Sequence, residues 1–225
     1  MTVAPPRTTP PEDEPLVERY ARMALTFEQR PVDQALRGLD VLIAGTLLVV
    51  TSPLSALAAA AVRLTGRPVL YRGERVGRGG EVFTMYKFRT LRADSETRLA
   101  PYLGAQLSQL TLDEQTRVGR ILRRTKVDEL PQLVNVVRGD MSLVGPRPIR
   151  PPFFEELCHE VPAFWQRLVV RPGLTGLAQL RMSREMSWAE KLAHDIEFIA
   201  DRSVKLYLAV ILETAAKVFS GHWGK

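Results

Sequence analysis

A run of 22 residues without a charged side chain, from Val41 to Val62, restricts most strongly how this chain can fold. As a helix the run would be long enough to cross a bilayer. Ser52-Pro53 lies at its midpoint and predicts a break, because an interior proline removes a backbone hydrogen bond and kinks a helix. We expect the Ser52 hydroxyl to bond the carbonyl that Pro53 leaves free, which is how such breaks are tolerated in lipid.

Basic residues flank both ends of this run: Arg30 and Arg37 before it, and Arg63, Arg67, Arg72, Arg75 and Arg78 after it. Positive charge marks the cytoplasmic end of a membrane segment, and a true span should carry it on one side. We therefore expect a re-entrant helix-break-helix over residues 38–64 that enters and leaves the bilayer by the cytoplasmic face, with both termini cytoplasmic. A proline-kinked single span and a buried helix of a soluble protein are the alternatives.

The composition limits the classes of partner and site. The chain of 225 residues has a formal charge of +6 and a pI of about 9.8, so nucleic acid, anionic membrane and nucleotide substrates all remain open as partners. One cysteine, Cys158, excludes an intramolecular disulfide and a multi-cysteine metal site, and we expect it to be buried. The three histidines lack zinc-site spacing, and the first thirty residues lack the pattern of a signal peptide.

The remaining pattern predicts an α+β fold that is predominantly helical with a small β-hairpin. The sequence predicts a polar tail and an amphipathic segment in residues 1–28, and one domain in residues 29–225. Val69–Tyr71 and Glu81–Phe88 read as strands around the turn Arg78-Gly79-Gly80. Capping-box patterns at Thr111–Glu114 and Ser187–Glu190 predict two helix starts.

Two adjacent carboxylates, Asp128 and Glu129, lie among cations in Arg123-Arg124-Thr125-Lys126-Val127-Asp128-Glu129-Leu130-Pro131. Neighbouring helical residues do not face each other, so the two are not a symmetric acid pair that shares one proton. Asp128 as the N-cap of a helix containing Pro131 is the structural alternative. The surrounding cations favour phosphoryl chemistry instead, because they lower a carboxylate pKa and bind phosphate oxygens.

Further cations lie near predicted turns and strand ends. Arg138-Gly139-Asp140 closes the apolar helix after Leu130, with Gly139 as its C-terminal glycine. Prolines on both sides of Arg147 fix its backbone, so Arg147 loses little freedom on binding an anion. Lys87 and Arg89 lie at the end of the predicted strand Glu81–Phe88, where ordinary surface charges explain them equally well without a ligand.

The run RILRRTKVDELPQLVNVVRGDMSLVGPRP, from Arg120 to Pro148, resembles the bacterial sugar transferases, the monotopic phosphoglycosyl transferases that act on polyprenol phosphate. KFRT before it and RPGLTG after it extend the resemblance, which covers about Gln29 to Ser220 and fits the minimal form of the family. Arginine at Arg171 replaces the family's lysine, and Lys126 stands where many members have serine.

The resemblance implies transfer of a sugar 1-phosphate from a UDP-sugar to undecaprenyl phosphate, with release of UMP, at the cytoplasmic face of the bacterial inner membrane. It implies a ping-pong mechanism in which Asp128 is the nucleophile that forms a covalent phosphosugar intermediate. Glu129 would be the Mg²⁺-associated partner, and Ser52-Pro53 the break in the re-entrant helix. The resemblance also implies candidate phosphate-binding residues at basic motif positions: Lys87, Arg89, Arg123, Arg147 and Arg171. Asp195 aligns with an acidic position of the family, without a role that the sequence reveals.

A second hypothesis is a non-catalytic basic scaffold at the membrane surface, within a polysaccharide assembly complex. It accounts for the charge and the apolar run but not for two carboxylates among arginines. Nucleic-acid binding rests on the pI alone, so we expect no nucleic acid as a partner. The donor sugar, the glycan product and the oligomeric state stay open, a homodimer included.

Overall fold

A computed structural model describes residues 30–93, 95–99, 104–181 and 186–220. The predicted tail and amphipathic segment, residues 1–28, lie outside the described residues. The described part is mostly helical: α1 Pro31–Val50, α2 Ser52–Leu64, α3 Ser95–Leu99, α4 Gly104–Asp113, α5 Arg117–Thr125, α6 Gln132–Arg138, α7 Pro151–Glu160, α8 Leu177–Arg181, α9 Trp188–Asp201 and α10 Val204–Phe219. Its strands are β1 Leu70–Val76, β2 Val82–Phe88, β3 Ser142–Val144 and β4 Gly173–Thr175, and 3-10 turns form at Arg78–Gly80, Val127–Glu129 and Phe164–Val169.

The predicted break in the apolar run is confirmed. α1 and α2 meet at Thr51 with a bend of 61°. Ser52 Oγ donates a 2.8 Å hydrogen bond to Val49 O, the carbonyl that Pro53 has no N–H to reach. Within the described residues no single helix is long and apolar enough to cross a bilayer, whereas the bent pair reaches that length and composition together.

α1 begins at Pro31, seven residues before the predicted start of the segment, and its first half is held by protein contacts. Asp40 is 2% exposed and accepts hydrogen bonds from Ser142 Oγ at 2.9 Å, Leu143 N at 2.8 Å and Tyr207 Oη at 2.7 Å. These bonds satisfy a carboxylate that would otherwise be costly to bury. They tie α1 to β3 and to α10.

The predicted β-hairpin is confirmed: β1 and β2 pair antiparallel, with Tyr71 opposite Lys87 and Leu70 opposite Phe88. The turn between them places Gly79 at φ 63° and Gly80 at φ 77°, in the left-handed region that favours glycine. A second pair, β3 with β4, is parallel and was not predicted.

Of the two predicted capping boxes, one is confirmed and one is wrong. Ser187 and Glu190 form the box that begins α9. Thr111 instead lies in the last turn of α4, and the N-cap of α5 is Thr116, whose hydroxyl accepts a hydrogen bond from Gly119 N.

Three clusters of buried apolar side chains hold the described elements together. The largest joins α1, α6, β3 and α10, and includes Ala44, Leu133, Val136, Met141 and Tyr207. A second lies between α7, the turn Phe164–Val169 and α9, and contains Cys158, which is buried as predicted. The third joins α2 to β2 and α5 through Ala58, Val62, Phe88 and Leu122, with Val127 and Leu130 packed against it.

Candidate active site

Asp128 lies in the 3-10 turn Val127–Glu129, between α5 and α6. Lys126 ends α5 in the left-handed conformation with φ 60°, and the turn then closes through bonds from Glu129 N to Lys126 O and from Leu130 N to Val127 O. The next helix, α6, begins at Gln132 and has seven residues. The structural alternative, in which Asp128 is the N-cap of a helix containing Pro131, is therefore wrong, because Pro131 is itself the N-cap of α6.

The side chain of Asp128 is buried but unpaired. It is 6% exposed, and its Oδ1 atom has no hydrogen-bond partner. Almost all buried polar atoms of proteins are hydrogen-bonded, and an unpaired one costs about 1–3 kcal/mol. A buried carboxylate oxygen held at that cost is typical of a group reserved for a ligand or a reaction.

Four cations, hereafter the cationic cluster, surround the two carboxylates: Lys87, Arg123, Lys126 and Arg147. Lys87 Nζ lies 3.0 Å and Lys126 Nζ 3.9 Å from Glu129 Oε1. Lys87, Lys126 and Arg123 act electrostatically on Asp128, and Lys87, Lys126 and Arg147 on Glu129. The structure thus brings together Asp128, Glu129 and three of the five predicted phosphate-binding residues.

The neighbouring carboxylates have opposite pKa shifts. Burial, with the charge of Glu129, raises the pKa of Asp128 to about 6, against the opposing effect of Lys87, Lys126 and Arg123. Burial also acts to raise the pKa of Glu129, but Lys87, Lys126 and Arg147 outweigh it and hold that pKa at about 2. The expectation that the cations lower the carboxylate pKa is confirmed for Glu129, but the net shift of Asp128 is upward, because burial and the charge of Glu129 outweigh the cations there.

Packing of the elements around the turn fixes the positions of these cations. β2 carries Lys87, and Asn135 of α6 holds that strand by accepting from Tyr86 N at 3.1 Å and donating to Thr84 O at 2.8 Å. Arg123 Nε donates to Thr90 Oγ1 at 2.9 Å. α5 approaches this segment so closely that a Cβ on Gly119 would lie 2.0 Å from Thr90 O, so only glycine fits there.

Arg147 lies in the turn after β3 and acts electrostatically on Glu129. Its side chain is exposed, and its Nη1 atom donates to Gln179 Oε1 at 3.2 Å. Exposure of the guanidinium beside a buried carboxylate leaves donors that an incoming anion can use.

Arg89 and Arg171 lie apart from the cationic cluster. Arg89 is 6% exposed and donates to Arg67 O and, at 3.0 Å, to Thr65 Oγ1, so it braces the connection between α2 and β1. Arg171 Nε donates to Gly139 O at 2.8 Å, beside Arg37 and Arg78. Neither is among the cations that act on Asp128 or Glu129.

Ser52 and Pro53 lie at the bend between α1 and α2. α2 itself packs against the turn Val127–Glu129 and against α5. The apolar helix pair and the carboxylates therefore belong to the same packed unit.

The two carboxylates fit a metal ion that is shared with substrate. No cluster of three or more His, Cys, Asp or Glu side chains occurs within the residues that the structure describes, so these side chains form no all-protein site there. Mg²⁺ commonly binds through one or two carboxylates and completes its shell with substrate phosphates and water. Ionised Glu129 and the unpaired oxygen of Asp128 match that donor set.

Four residues that support the site were missed in the sequence: Thr90, Asn135, Arg167 and Gln179. Each acts through a contact to a residue at least 20 positions away: Thr90 to Arg123, Asn135 to β2, and Arg167 and Gln179 to Arg147. No local spacing signals such contacts. Thr90 does lie in KFRT, one of the strings that carry the family resemblance.

Comparison with known proteins places the chain in a family. The profile described as bacterial sugar transferase matches residues 33–221. The chain is 39% identical over 197 residues to the UDP-glucose:undecaprenyl-phosphate glucose-1-phosphate transferase of Caulobacter vibrioides. This match covers 84% of this chain and 71% of that protein. It is 35% identical over 189 residues to the UDP-N-acetylgalactosamine-undecaprenyl-phosphate N-acetylgalactosaminephosphotransferase of Aeromonas hydrophila, covering 82% of this chain and 44% of that protein. A match to the undecaprenyl-phosphate galactose phosphotransferase of Salmonella typhimurium is 34% identical and covers 81% of this chain and 40% of that protein.

The chain thus spans less than half of the length of two of these relatives, and their names specify different sugars. The match of the family profile covers most of the chain, including the bent helix pair, the cationic cluster and both carboxylates. This protein belongs to the bacterial sugar transferase family.

Proposed function

We propose that this protein transfers a sugar 1-phosphate from a UDP-sugar to undecaprenyl phosphate, releasing UMP, as the first membrane step of a glycan assembly pathway. The observation that carries the proposal is the buried, unpaired Asp128 Oδ1 inside the cationic cluster. The names of the relatives, which specify undecaprenyl phosphate as acceptor and three different sugars, support the same class of reaction.

In the first half-reaction Asp128 attacks the phosphorus that carries the sugar. A bond forms between Asp128 Oδ and that phosphorus, and the bond to the bridging oxygen of the diphosphate breaks, so UMP leaves with the electron pair. In the second half-reaction an oxygen of undecaprenyl phosphate attacks the same phosphorus and the Asp128 carboxylate leaves. A carboxylate can act as such a nucleophile when charge on the phosphates is neutralised.

The residues around Asp128 supply that neutralisation. Arg123 and Arg147 can bind phosphate oxygens, and Lys87 and Lys126 balance the charge of Glu129. Mg²⁺, when bound, would stabilise negative charge on the diphosphate. Glu129 would hold the ion, and its pKa of about 2 keeps it ionised for that role at any physiological pH.

We also propose that α1 and α2 enter the inner membrane from the cytoplasmic face and return to it. Eight large apolar side chains on the two helices are exposed, from 39% at Leu47 to 90% at Leu64: Val41, Leu42, Leu47, Val49, Val50, Leu54, Leu57 and Leu64. Exposed apolar side chains grouped on neighbouring helices in this way are typical of a surface that contacts a membrane or another protein. Because α2 packs against the turn of Asp128, this arrangement would bring the carboxylate close to a lipid phosphate.

The test is UMP release by the purified full chain with undecaprenyl phosphate, Mg²⁺ and a panel of UDP-sugars. We expect one or a few sugars to support turnover, Asp128→Asn to abolish it, and the exposed Asp113→Asn to leave it unchanged. Without lipid acceptor, intact mass spectrometry should detect wild-type protein heavier by one sugar phosphate, and no such species for Asp128→Asn. Full turnover by Asp128→Asn, or no UMP from any UDP-sugar, would overturn the proposal and favour the scaffold hypothesis.

A further inference from the structure

Arg167 and Asp195 form a buried ion pair beside the site. Arg167 Nη2 lies 2.8 Å from Asp195 Oδ2, and the two side chains are 6% and 4% exposed. The Arg167 guanidinium also lies over the Phe164 ring, 4.7 Å from its centroid. Buried ion pairs of this kind add little net stability, because desolvation offsets their attraction, so the pair needs another explanation than stability alone.

The same Nη2 atom of Arg167 donates to the backbone carbonyl of Arg147 at 3.0 Å. The preceding carbonyl, Pro146 O, accepts from Gly173 N at 2.8 Å, and the guanidinium of Arg147 is bonded to Gln179. Arg147 is therefore held at its backbone by Arg167 and at its side chain by Gln179. Asp195 fixes Arg167 by accepting from the nitrogen that holds Arg147.

We infer that Asp195 and Arg167 are positioning residues for the substrate diphosphate, which they affect through the backbone of Arg147. The inference rests on the proposed function in one respect, namely that Arg147 binds a phosphate oxygen. It assigns a role to Asp195, which is remote in sequence from every other residue of the site. The competing explanation is that the pair simply ties the turn Phe164–Val169 to α9, which pack together.

The experiment measures binding of UDP, a diphosphate without a sugar, to the full chain with Mg²⁺. The pair is removed by the double substitution Arg167→Met/Asp195→Leu, because replacing both partners leaves no unpaired buried charge. We expect Arg147→Ala to raise the Kd for UDP about 30-fold, as for loss of one charge-assisted hydrogen bond, and the double substitution to raise it about tenfold. Added to Arg147→Ala, the double substitution should raise the Kd less than twofold further, since residues that act through one group are not additive.

Two controls separate positioning from general damage. Arg181→Gln/Glu197→Gln removes an exposed ion pair of α8 and α9, with Arg181 Nη1 2.5 Å from Glu197 Oε2, and should leave UDP binding unchanged. Arg167→Lys keeps a cation opposite Asp195 on a side chain without the planar fork, so it should weaken UDP binding in the same direction even if the double variant fails to fold.

The inference is overturned if removing the pair weakens UDP binding equally with and without Arg147, or if neither the double variant nor Arg167→Lys weakens it. It is also overturned if Arg147→Ala binds UDP like the wild type. Because UDP binding needs no turnover, the coupling can be present in a chain that releases no UMP, and that result would overturn the proposed function alone.

Discussion

Lys87 Nζ lies 3.0 Å from Glu129 Oε1, and this contact joins strand β2 to the turn that carries Asp128. The contact involves one of two adjacent carboxylates, and the two differ in pKa. Glu129 has the nearest cation and a pKa of about 2, whereas Asp128 has burial, an unpaired oxygen and a pKa of about 6. The proposed nucleophile and its ionised partner can thus be neighbours in sequence.

Replacing Lys87 with methionine should impair both stability and turnover. Glu129 is 15% exposed and would lose its nearest cation, so we expect a loss of about 1–3 kcal/mol in the free energy of unfolding. Turnover should fall about 100-fold, as for loss of one preorganised electrostatic contact. Chemical unfolding measures the change in stability and UMP release the change in turnover. Lys87→Arg should retain most of the stability and most of the turnover. Lys205→Met, at an exposed position, should change neither. Wild-type turnover by Lys87→Met would contradict the role of this contact.

The first half-reaction should depend on pH through Asp128. Its raised pKa means that below pH 6 the carboxyl is mostly protonated and cannot attack phosphorus. The rate constant of the UMP burst, measured without lipid acceptor, should therefore rise about tenfold per pH unit up to pH 6 and level off above it. Lys126 lowers the pKa of Asp128, so Lys126→Met should move this rise to higher pH. A burst rate constant that is flat from pH 5 to pH 7 would contradict the assignment.

Asp128→Asn should make the protein more stable at neutral pH. A carboxyl whose folded pKa lies above its ordinary value of 3.8 stabilises the fold below that value, and this contribution is lost as the pH rises through the folded pKa of about 6. Asparagine does not titrate, so the free energy of unfolding of Asp128→Asn should exceed that of the wild type by an amount that grows with pH. The difference should rise from near zero at pH 4 to about 3 kcal/mol above pH 7, since one pKa unit equals about 1.36 kcal/mol. Unfolding across this range is the measurement, with the exposed Asp113→Asn as control. An advantage that does not change with pH would rule out titration of Asp128 as its cause.

The break at Ser52-Pro53 should determine the topology of the helix pair. In intact spheroplasts we expect tags at both termini to be inaccessible to an impermeant label and to become accessible on permeabilisation. Ser52→Ala/Pro53→Ala restores a backbone donor for Val49 O and removes the hydroxyl that now bonds it. This variant should expose part of the N-terminal tags outside the cell, whereas Thr46→Ala, within α1, should not. An accessible N-terminal tag in the wild type would end the re-entrant proposal.

The parts of the fold that the sequence predicted are those with local signals. The proline break, the glycine turn of the β-hairpin and the αL glycine that ends α6, Gly139 at φ 100°, each follow from the conformational limits of one or two residues. β3 and β4 have three residues each, too few to display an alternating pattern. The pattern at Thr111 was misleading because the same residue types occur in the last turn of a helix.

Lys87, Arg123 and Arg147 lie among the cations that act on the two carboxylates, and their binding of phosphate stays a prediction. Arg89 was predicted from its basic motif position at a strand end, but β2 ends at Phe88 and the Thr65–Arg67 segment accepts its hydrogen bonds. Arg171 resembled Arg147 in its proline and glycine neighbours, yet it lies beside Arg37 and Arg78. The partner of a long cation depends on which carbonyls the fold leaves free, and local sequence does not encode that.

The hydrogen bonds to Asp40 have a consequence for where the reaction takes place. Three groups of β3 and α10 donate hydrogen bonds to this carboxylate, so α1 cannot move along its axis without breaking those bonds. If the tip of the hairpin rests at a fixed depth in the lipid, the height of Asp128 above the headgroups is fixed as well. Each residue added to α1 beyond Asp40 would then lift the nucleophile by about 1.5 Å, and one added helical turn would carry it beyond reach of the acceptor.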